Sequence, residues 1–406
     1  MFLPVGEQLE RILEGAAEVI PEAELAAKLG RARERDEPLI VKQGFDPTRP
    51  DLHLGHAVSL HKLRTFQELG HTVVFVIGDF TARIGDPSGR DETRPQLSEE
   101  EIEENLISYR EQVFEILDPR RTVLRRNSEW LEPLRLADIL ELTSRYTVAR
   151  MLEREDFAVR YAEGRPISLV EFLYPMMQGY DSVELRADVE LGGTDQKFNL
   201  LLARTLQERS GQEPQVCLLM PLLRGTDGAR KMSNSYDNYI GLAMEPSEMF
   251  GRAMSIPDSL LEEWLTLVSS ARGTELEERL AQARRDPLEA KRWLALDLVR
   301  RYRGEEAAQR ARAAFDRVHR DRRPPETVPA RTVELPSGAD SIWLPYALRD
   351  TGLAASTSEA IRLIGQRAVR VDGEIVEDRD RDLAPGEYLI QKGKRVFIRL
   401  RVAGRS

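Results

Sequence analysis

The stretch Leu39-Ile-Val-Lys-Gln-Gly-Phe-Asp-Pro-Thr48, completed by His53-Leu-Gly-His56, decides the fold of this 406-residue chain. Leu39-Ile40-Val41 reads as a strand that runs into a turn at Gly44 and Pro47. After the histidines, Ala57 to Leu69 is apolar at Val58, Leu60, Leu63, Phe66 and Leu69, the spacing of an amphipathic helix ended by Gly70. His53 and His56 therefore sit at a helix N-terminus, where free N–H groups and the helix dipole favour an anion. Gly55 carries no side chain, so a flat ring can lie against the backbone there. Three of the five histidines, His53, His56 and His61, crowd into nine residues, a cluster that chance placement does not lead one to expect.

A second stretch, Leu222-Leu-Arg-Gly-Thr-Asp-Gly-Ala-Arg-Lys-Met-Ser-Asn-Ser235, spaces Lys231, Ser233 and Ser235 as donors on a glycine-flanked loop. A lysine is a point charge suited to a leaving pyrophosphate, and serines donate to phosphate oxygens. Alone, such a loop fits a solvated turn equally well. Following a strand–histidine–helix unit, it reads as the other half of a phosphate site. Tyr174, Gln178 and Asp181 fall at i, i+4 and i+7, on one face of a helix with Pro175 expected in its first turn. A phenol, an amide and a carboxylate make a poor core face, so they point to a ligand or to solvent. Gly192-Gly-Thr-Asp-Gln196 lies between a strand and a helix starting near Phe198, where glycines allow a close ligand approach or simply a turn.

Composition bounds the possibilities. At 406 residues, two or three domains are expected, and 41% hydrophobic with 32% charged residues describes an ordinary soluble globular chain. The single cysteine, Cys217, lies in the apolar run Val216 to Leu219, which excludes an intramolecular disulfide and suggests a buried thiol. No basic, apolar leader and no 18-residue apolar stretch occurs, so the cytoplasm is the default location and no membrane partner is expected. Ser341 to Ser406 holds twelve Lys and Arg against nine Asp and Glu, or +3, which leaves −13 of the total −10 for the remainder. A mildly basic tail on an acidic body suits local RNA contact and not DNA coating, although a solvated charged surface fits the charge as well.

Strand candidates at Leu39–Gln43, Thr72–Ile77, Arg121–Arg125, Glu184–Glu190 and Val216–Met220 alternate with helices, one opened by the capping box Ser98-Glu-Glu-Glu101. This alternation predicts an α/β fold with a parallel sheet covered on both faces. From Ser247 to Val318 the pattern is helical throughout. Pro324, Pro325, Pro329, Pro336 and Gly338 suggest a stiff linker. Beyond it, a helix over Ser358–Gln366 and strands at Ala368–Val371 and Arg395–Val402 predict a small mixed domain.

The two phosphate-facing stretches resemble the "HIGH" and "KMSKS" motifs of the class I aminoacyl-tRNA synthetases. With Gly44 to His56, Ile84-Gly-Asp-Pro-Ser-Gly89, Tyr174 to Asp181 and Gly192 to Gln196, the chain resembles the bacterial tyrosyl-tRNA synthetases over nearly its whole length. The resemblance implies a Rossmann-type catalytic domain at 1–240 with inserted dimerisation helices at about 95–175. A helical anticodon-binding domain would follow at 241–325, a linker at 326–340 and a small ribosomal-protein-like RNA-binding domain at 341–406. It implies activation of L-tyrosine by ATP with Mg2+, without a dedicated protein metal site, transfer to tRNA(Tyr), and a homodimer. The rivals are the tryptophan-specific synthetase and a non-enzymatic RNA-binding paralogue.

By the same resemblance His53, His56, Thr48 and Lys231 are catalytic, and Asp46, Gly55, Asp195, Met232, Ser233, Ser235, Arg90 and Arg94 join them around ATP. Tyr174, Gln178, Asp86 and Asp46 would hold the α-amino group of tyrosine, Gln196 its carboxyl group and Asp181 its hydroxyl. Lys42 counts among the tyrosine-binding residues, at the position where many members carry a tyrosine facing that hydroxyl, and Asn234 replaces the second lysine of the loop, leaving Lys231 as the main cation. Lys197 and Phe198 replace a bulky-then-small pair. In the tail, Leu348 to Ile364 and Ala368 to Gly373 resemble an RNA-binding domain first seen in a ribosomal small-subunit protein, with Arg362, Arg367 and Arg370 placed for tRNA phosphates.

Overall fold

The computed structural model describes residues 2–88, 98–320, 328–336, 338–393 and 396–404. The chain divides into two compact units, Met1–Tyr302 and Arg303–Ser406.

The first unit is built on a six-stranded sheet of β1 (Glu18–Ile20), β2 (Ile40–Phe45), β3 (Thr72–Ile77), β4 (Thr122–Arg126), β5 (Val189–Gly193) and β6 (Val216–Met220). Their order is β1-β6-β5-β2-β3-β4, with β1 antiparallel and the other strands parallel. Val73 to Ile77 and Val216 to Met220 are buried throughout, the near-continuous apolar run that a sheet covered on both faces requires. The direction of winding reverses between β2 and β5. In such sheets ligands bind at the carboxyl ends of the strands, beside that switch point.

Several expectations shift. The strand expected at Glu184–Glu190 begins later, at Val189, because the preceding helix Leu169–Leu185 claims the first two of those residues. That helix opens at the Ser168 cap, so Pro175 lies well inside it and not in its first turn. The helix after the histidines starts at Leu54, with His53 as its N-cap. β4 lies inside the segment expected as an insertion and completes the sheet edge. The helices beyond residue 240, expected as a separate domain, share the first unit as far as Tyr302. Trp264 is fully buried and its Nε1 donates to the Arg224 carbonyl oxygen at 3.1 Å, while Glu263 accepts from the Arg224 N–H and Nε at 2.8 and 2.7 Å.

The second unit contains the helix Glu305–His319 and a five-stranded sheet of β7 (Ala330–Glu334), β9 (Val369–Val371), β10 (Glu374–Ile375), β12 (Gly386–Lys392) and β13 (Val396–Ala403). Its order is β10-β9-β12-β13-β7, and β8 (Ile342–Trp343) pairs with β11 (Asp382–Leu383). β7 corrects the linker expectation. It runs parallel to β13 and buries Val333 in the tail core with Ile364, Val371 and Ile390. The prolines that suggested a stiff spacer, Pro329 and Pro336, flank this edge strand, the place where a sheet tolerates them. Among the described residues no helix is long and apolar enough to cross a membrane.

Candidate active site

The carboxyl ends of β2, β5 and β6 open onto a cavity of about 710 Å3. Asp46, Thr48, His53, Gly55, His56, Asp86, Tyr174, Gln178, Asp181, Asp195, Gln196, Lys231, Met232, Ser233 and Ser235 all line it. The sequence-predicted site thus converges, although its members are spread from residue 46 to residue 235. Arg90 and Arg94 lie outside the described residues.

At the start of the histidine helix, the His53 N–H donates to Nδ1 of His56 at 3.2 Å, and the two rings stack with centroids 3.8 Å apart. A Cβ on Gly55 would stand 2.9 Å from Cε1 of His53, so the flat ring that the glycine admits is that of His53 itself. Burial, the neighbouring His56 and the nearby Lys231 drive the His53 ring well below its ordinary pKa. Burial and Lys231 bring His56 down to about 4. Both imidazoles are therefore neutral near pH 7 and serve as N–H donors without charge. His61 faces elsewhere. Its Nε2 meets the Tyr302 hydroxyl at 3.0 Å and Nη1 of Arg301 at 3.2 Å, and burial with Arg301 and Arg272 lowers it to about 3. The third histidine ties this helix to the helical segment of the same unit.

The lysine loop is held by a residue that sequence reasoning missed. Asn238, 3% exposed, accepts from the Ser233 N–H at 2.8 Å and donates to Asp227 at 3.0 Å and to the Lys231 carbonyl oxygen at 3.2 Å. Asn234 donates to the Asp51 carbonyl oxygen at 3.0 Å, which anchors the loop beside the histidines where a lysine would bring charge. Nζ of Lys231 donates to Oδ2 of Asp195 at 2.6 Å. Both partners keep solvent contact, so this ion pair holds the loop by about 1 kcal/mol or less and parts readily.

The helix Leu169–Leu185 presents Tyr174, Gln178 and Asp181 to the cavity as its periodicity predicts. Its start is pinned by Glu171, which accepts from the Ser168 N–H at 2.8 Å and takes both ends of the buried Arg160 guanidinium at 2.6 and 3.0 Å. The Tyr174 hydroxyl donates to Oδ2 of Asp46 at 2.9 Å, and the Thr81 hydroxyl donates to Oδ1 at 2.7 Å. Burial, then Asp46, holds the Tyr174 phenol well above its ordinary pKa, so it remains a donor. A Cβ at Gly78 would fall 2.0 Å from Oδ1 of Asp46 and 2.4 Å from Oγ1 of Thr81, so any side chain there would displace this pair.

Asp181 accepts from Nε1 of Trp130 at 2.9 Å and from Nδ2 of Asn127 at 3.4 Å. Burial pushes its carboxyl up to about 7, against the pull of Lys42 and these two donors. Also lining the cavity, Asp86 accepts from the Ser88 N–H at 2.8 Å, the Ser88 hydroxyl at 2.6 Å and Nε2 of Gln196 at 2.8 Å. Burial opposes its charge, yet Arg154, Ser88 and Gln196 together keep the Asp86 carboxyl below its usual value. Trp130, Asn127 and Gly78 left no signal in the sequence, since each acts through a partner distant along the chain.

Lys42, expected at the substrate hydroxyl, is corrected by the geometry. It does not line the cavity, and it is fully buried on β2 opposite Glu190 of β5. Its Nζ stands 3.1 Å from Oε1 of Glu190 and donates to Ser182 Oγ at 2.7 Å and the Gln178 carbonyl oxygen at 3.2 Å, so its three protons are already committed. In the tail, Arg362 stands 3.8 Å from Glu359, Arg367 pairs with Glu377, and Arg370 donates to the Gly373 carbonyl oxygen at 3.0 Å. No group of three or more His, Cys, Asp and Glu placed to hold a metal occurs among the described residues.

Residues 34–320 match the family model described as tRNA synthetases class I (W and Y), and residues 342–387 match the S4 domain. A protein of Carboxydothermus hydrogenoformans named tyrosine–tRNA ligase is 51% identical over 98% of this chain and 99% of its own length. One of the same name from Nitratidesulfovibrio vulgaris is 51% identical over 99% of this chain and 100% of its own. Among solved structures, the tyrosyl-tRNA synthetase of Archaeoglobus fulgidus in complex with L-tyrosine superposes with a TM-score of 0.61 at 24% identity, covering 76% of this chain and all of that one. A truncated mitochondrial tyrosyl-tRNA synthetase of Coccidioides posadasii gives 0.61 at 22% identity, covering 76% and 91%. At such identities the two structures speak for the fold.

The Lys42–Glu190 pair makes a testable demand. Lys42→Met strands a buried carboxylate and is expected to cost about 3–5 kcal/mol in chemical denaturation. Adding Glu190→Gln restores most of that loss. A single variant as stable as the parent would show that the pair carries no such constraint.

Proposed function

Because the chain belongs to the class I tRNA synthetases of the tryptophan and tyrosine group and carries an S4 domain, we propose that it activates L-tyrosine with ATP and transfers it to the 3′ end of tRNA(Tyr). The observation that carries this reading is that one cavity brings together a buried carboxylate held by Trp130 and Asn127 and a phosphate-facing set of His53, His56 and Lys231. Asp181 accepts the hydrogen bond of the substrate's phenolic hydroxyl. Phenylalanine would leave that carboxylate one donor short, with only Trp130 and Asn127 against it, which costs binding energy in a buried site. Tyrosine–tRNA ligase relatives at 51% identity over nearly the full chain favour tyrosine over tryptophan, and the assembled site argues against a catalytically silent RNA-binding paralogue.

In this mechanism Asp86, Tyr174, Gln178 and Asp46 receive the α-ammonium group and Gln196 the carboxyl group. The tyrosine carboxylate attacks the α-phosphorus of ATP in line, pyrophosphate leaves, and a ribose hydroxyl of the tRNA end then displaces AMP. No covalent enzyme intermediate is required. ATP enters as its magnesium complex. His53 and His56 donate as neutral imidazoles, and Thr48, Ser233 and Ser235 add further donors. Lys231 leaves Asp195 for the phosphates and frees that carboxylate for the ribose. Catalysis is positioning and stabilisation of developing charge.

The tail helix Thr357–Gly365, with Arg362, Arg367 and Arg370, meets tRNA phosphates. The helices beyond residue 240 meet the anticodon region. Exposed apolar side chains concentrate at Ile107, Leu136, Leu140, Val148, Tyr161 and Leu169, all within the segment expected to dimerise. Such a concentration suits a homodimer interface.

Tyrosine-dependent ATP–pyrophosphate exchange tests the reading. We expect exchange with tyrosine and not tryptophan, and Lys231→Ala should slow it by about 10²–10³-fold while tyrosine affinity is nearly kept. Exchange driven by tryptophan, or full activity without Lys231, contradicts it. Acidity supplies a second check. The hydroxyl donates to ionised Asp181, so affinity is complete above a pKa of about 7 and falls on acidification, by as much as about tenfold per pH unit. A tyrosine KM that is flat between about pH 5.5 and 8 would remove Asp181 from this role. In sedimentation the chain should run as a dimer and Leu140→Asp as a monomer, whereas a monomeric parent defeats the interface.

A further inference from the structure

Arg154 lies at the N-cap of the helix Glu155–Ala162, in the segment between β4 and the substrate helix, and it is 5% exposed. A guanidinium that deep must be compensated. One partner is local, with Nε 2.8 Å from Oδ1 of Asp156. Its other polar contacts leave this helix. Nη2 donates to the Ser88 hydroxyl at 2.5 Å and stands 3.5 Å from Oδ1 of Asp86, and Nη1 donates to Oδ1 of Asn199 at 3.3 Å. The guanidinium also faces the rings of Phe157 and Phe198, at 5.1 and 6.0 Å from their centroids.

Arginine has donors and no acceptor, so whichever amide atom of Asn199 faces it must be the oxygen. Nδ2 of Asn199 is then forced towards Oε1 of Gln178 at 2.8 Å and Oε1 of Gln196 at 2.9 Å. With its oxygen engaged there, Gln196 turns Nε2 to Asp86 at 2.8 Å and Ser88 at 3.1 Å. One guanidinium therefore fixes the donor and acceptor sense of three amides and supplies the cation beside one carboxylate.

We propose that Arg154 is the positioning residue for the amino-acid head group: by orienting Asn199, Gln178, Gln196 and Asp86 it presents acceptors to the substrate's α-ammonium. This rests on the tyrosine-activation reading above. Arg154 acts through those side chains and touches no reacting atom. Three kinds of group face Asp86: Arg154 from the helix Glu155–Ala162, Ser88 from its own loop and Gln196 from the turn after β5. Asp156 lies on the far side of the guanidinium, and Tyr174 adds a phenol from the substrate helix.

The test is Arg154→Met, with Arg154→Lys as the variant that keeps the buried charge but lacks the planar fork. In ATP–pyrophosphate exchange by the full-length chain, KM for tyrosine should rise about tenfold to hundredfold, with kcat and KM for ATP nearly unchanged. Inhibition by 3-(4-hydroxyphenyl)propionate, which lacks the amino group and keeps only the carboxylate contact to Gln196, should weaken far less than tyrosine binding. In the Met variant tyrosine KM should also climb more steeply towards acid, because Asp86 has lost its cation and protonates more readily. If Arg154→Met fails to fold, the Lys variant decides by the same split between tyrosine and its desamino analogue. Equal weakening of both ligands, or an unchanged tyrosine KM in a folded variant, overturns the proposal and leaves the activation reading intact. A parent chain without tyrosine-dependent exchange would overturn both.

Discussion

β2 and β5 run side by side for two residue pairs, Val41 with Val189 and Lys42 with Glu190, and then part. Each continues its ladder on the outer side, β2 with β3 as far as Phe45 and Ile77, and β5 with β6 as far as Gly193 and Met220. The cleft is the space left when two parallel strands keep their outer neighbours and lose each other. The Lys42–Glu190 pair fills the last shared position, and Ser182 and Gln215 complete the hydrogen bonding of Glu190. An ion pair this deep contributes little net stability, since desolvation offsets its attraction. Its effect is geometric, for it seats the Gln178 carbonyl and sets a cation behind Asp181.

Beyond that point the cavity is organised by carboxylates that each have a partner in place. Asp46 has Tyr174 and Thr81, Asp86 has Ser88, Gln196 and Arg154, Asp181 has Trp130 and Asn127, and Asp195 has Lys231. Dipoles and charges fixed before the ligand arrives need no reorganisation during reaction, which is where such sites gain their rate. The neutral histidines fit the same scheme. Charged imidazoles beside Lys231 would repel it, whereas neutral ones let donors and cation share one region.

What the sequence made legible were contiguous signals. The histidine pair at a helix start, the lysine loop, the i, i+4, i+7 stripe and the Gly-Gly-Thr-Asp-Gln turn all meet in one cavity. So were the strands at Thr72–Ile77 and Val216–Met220, whose apolar runs have sharp ends. The rest depended on tertiary partners. Lys42 reads as a pocket residue until β5 supplies Glu190. Arg154, Asn199 and Asn238 are ordinary polar residues locally, and only folding aims them at one another. β7 was hidden because Pro329 and Pro336 flank its five residues and read as a linker, while the edge of the tail sheet requires little from it beyond Val333.

Cys217 has a practical consequence. It sits mid-strand in β6 between β5 and β1, fully buried, and burial keeps its thiol from ionising. Since thiolate is the form that reacts with maleimides, the native chain is nearly silent to them. Surface cysteines introduced singly can therefore carry fluorophores or spin labels without first removing the natural one, so movements of the lysine loop or the tail can be followed in an otherwise unaltered protein.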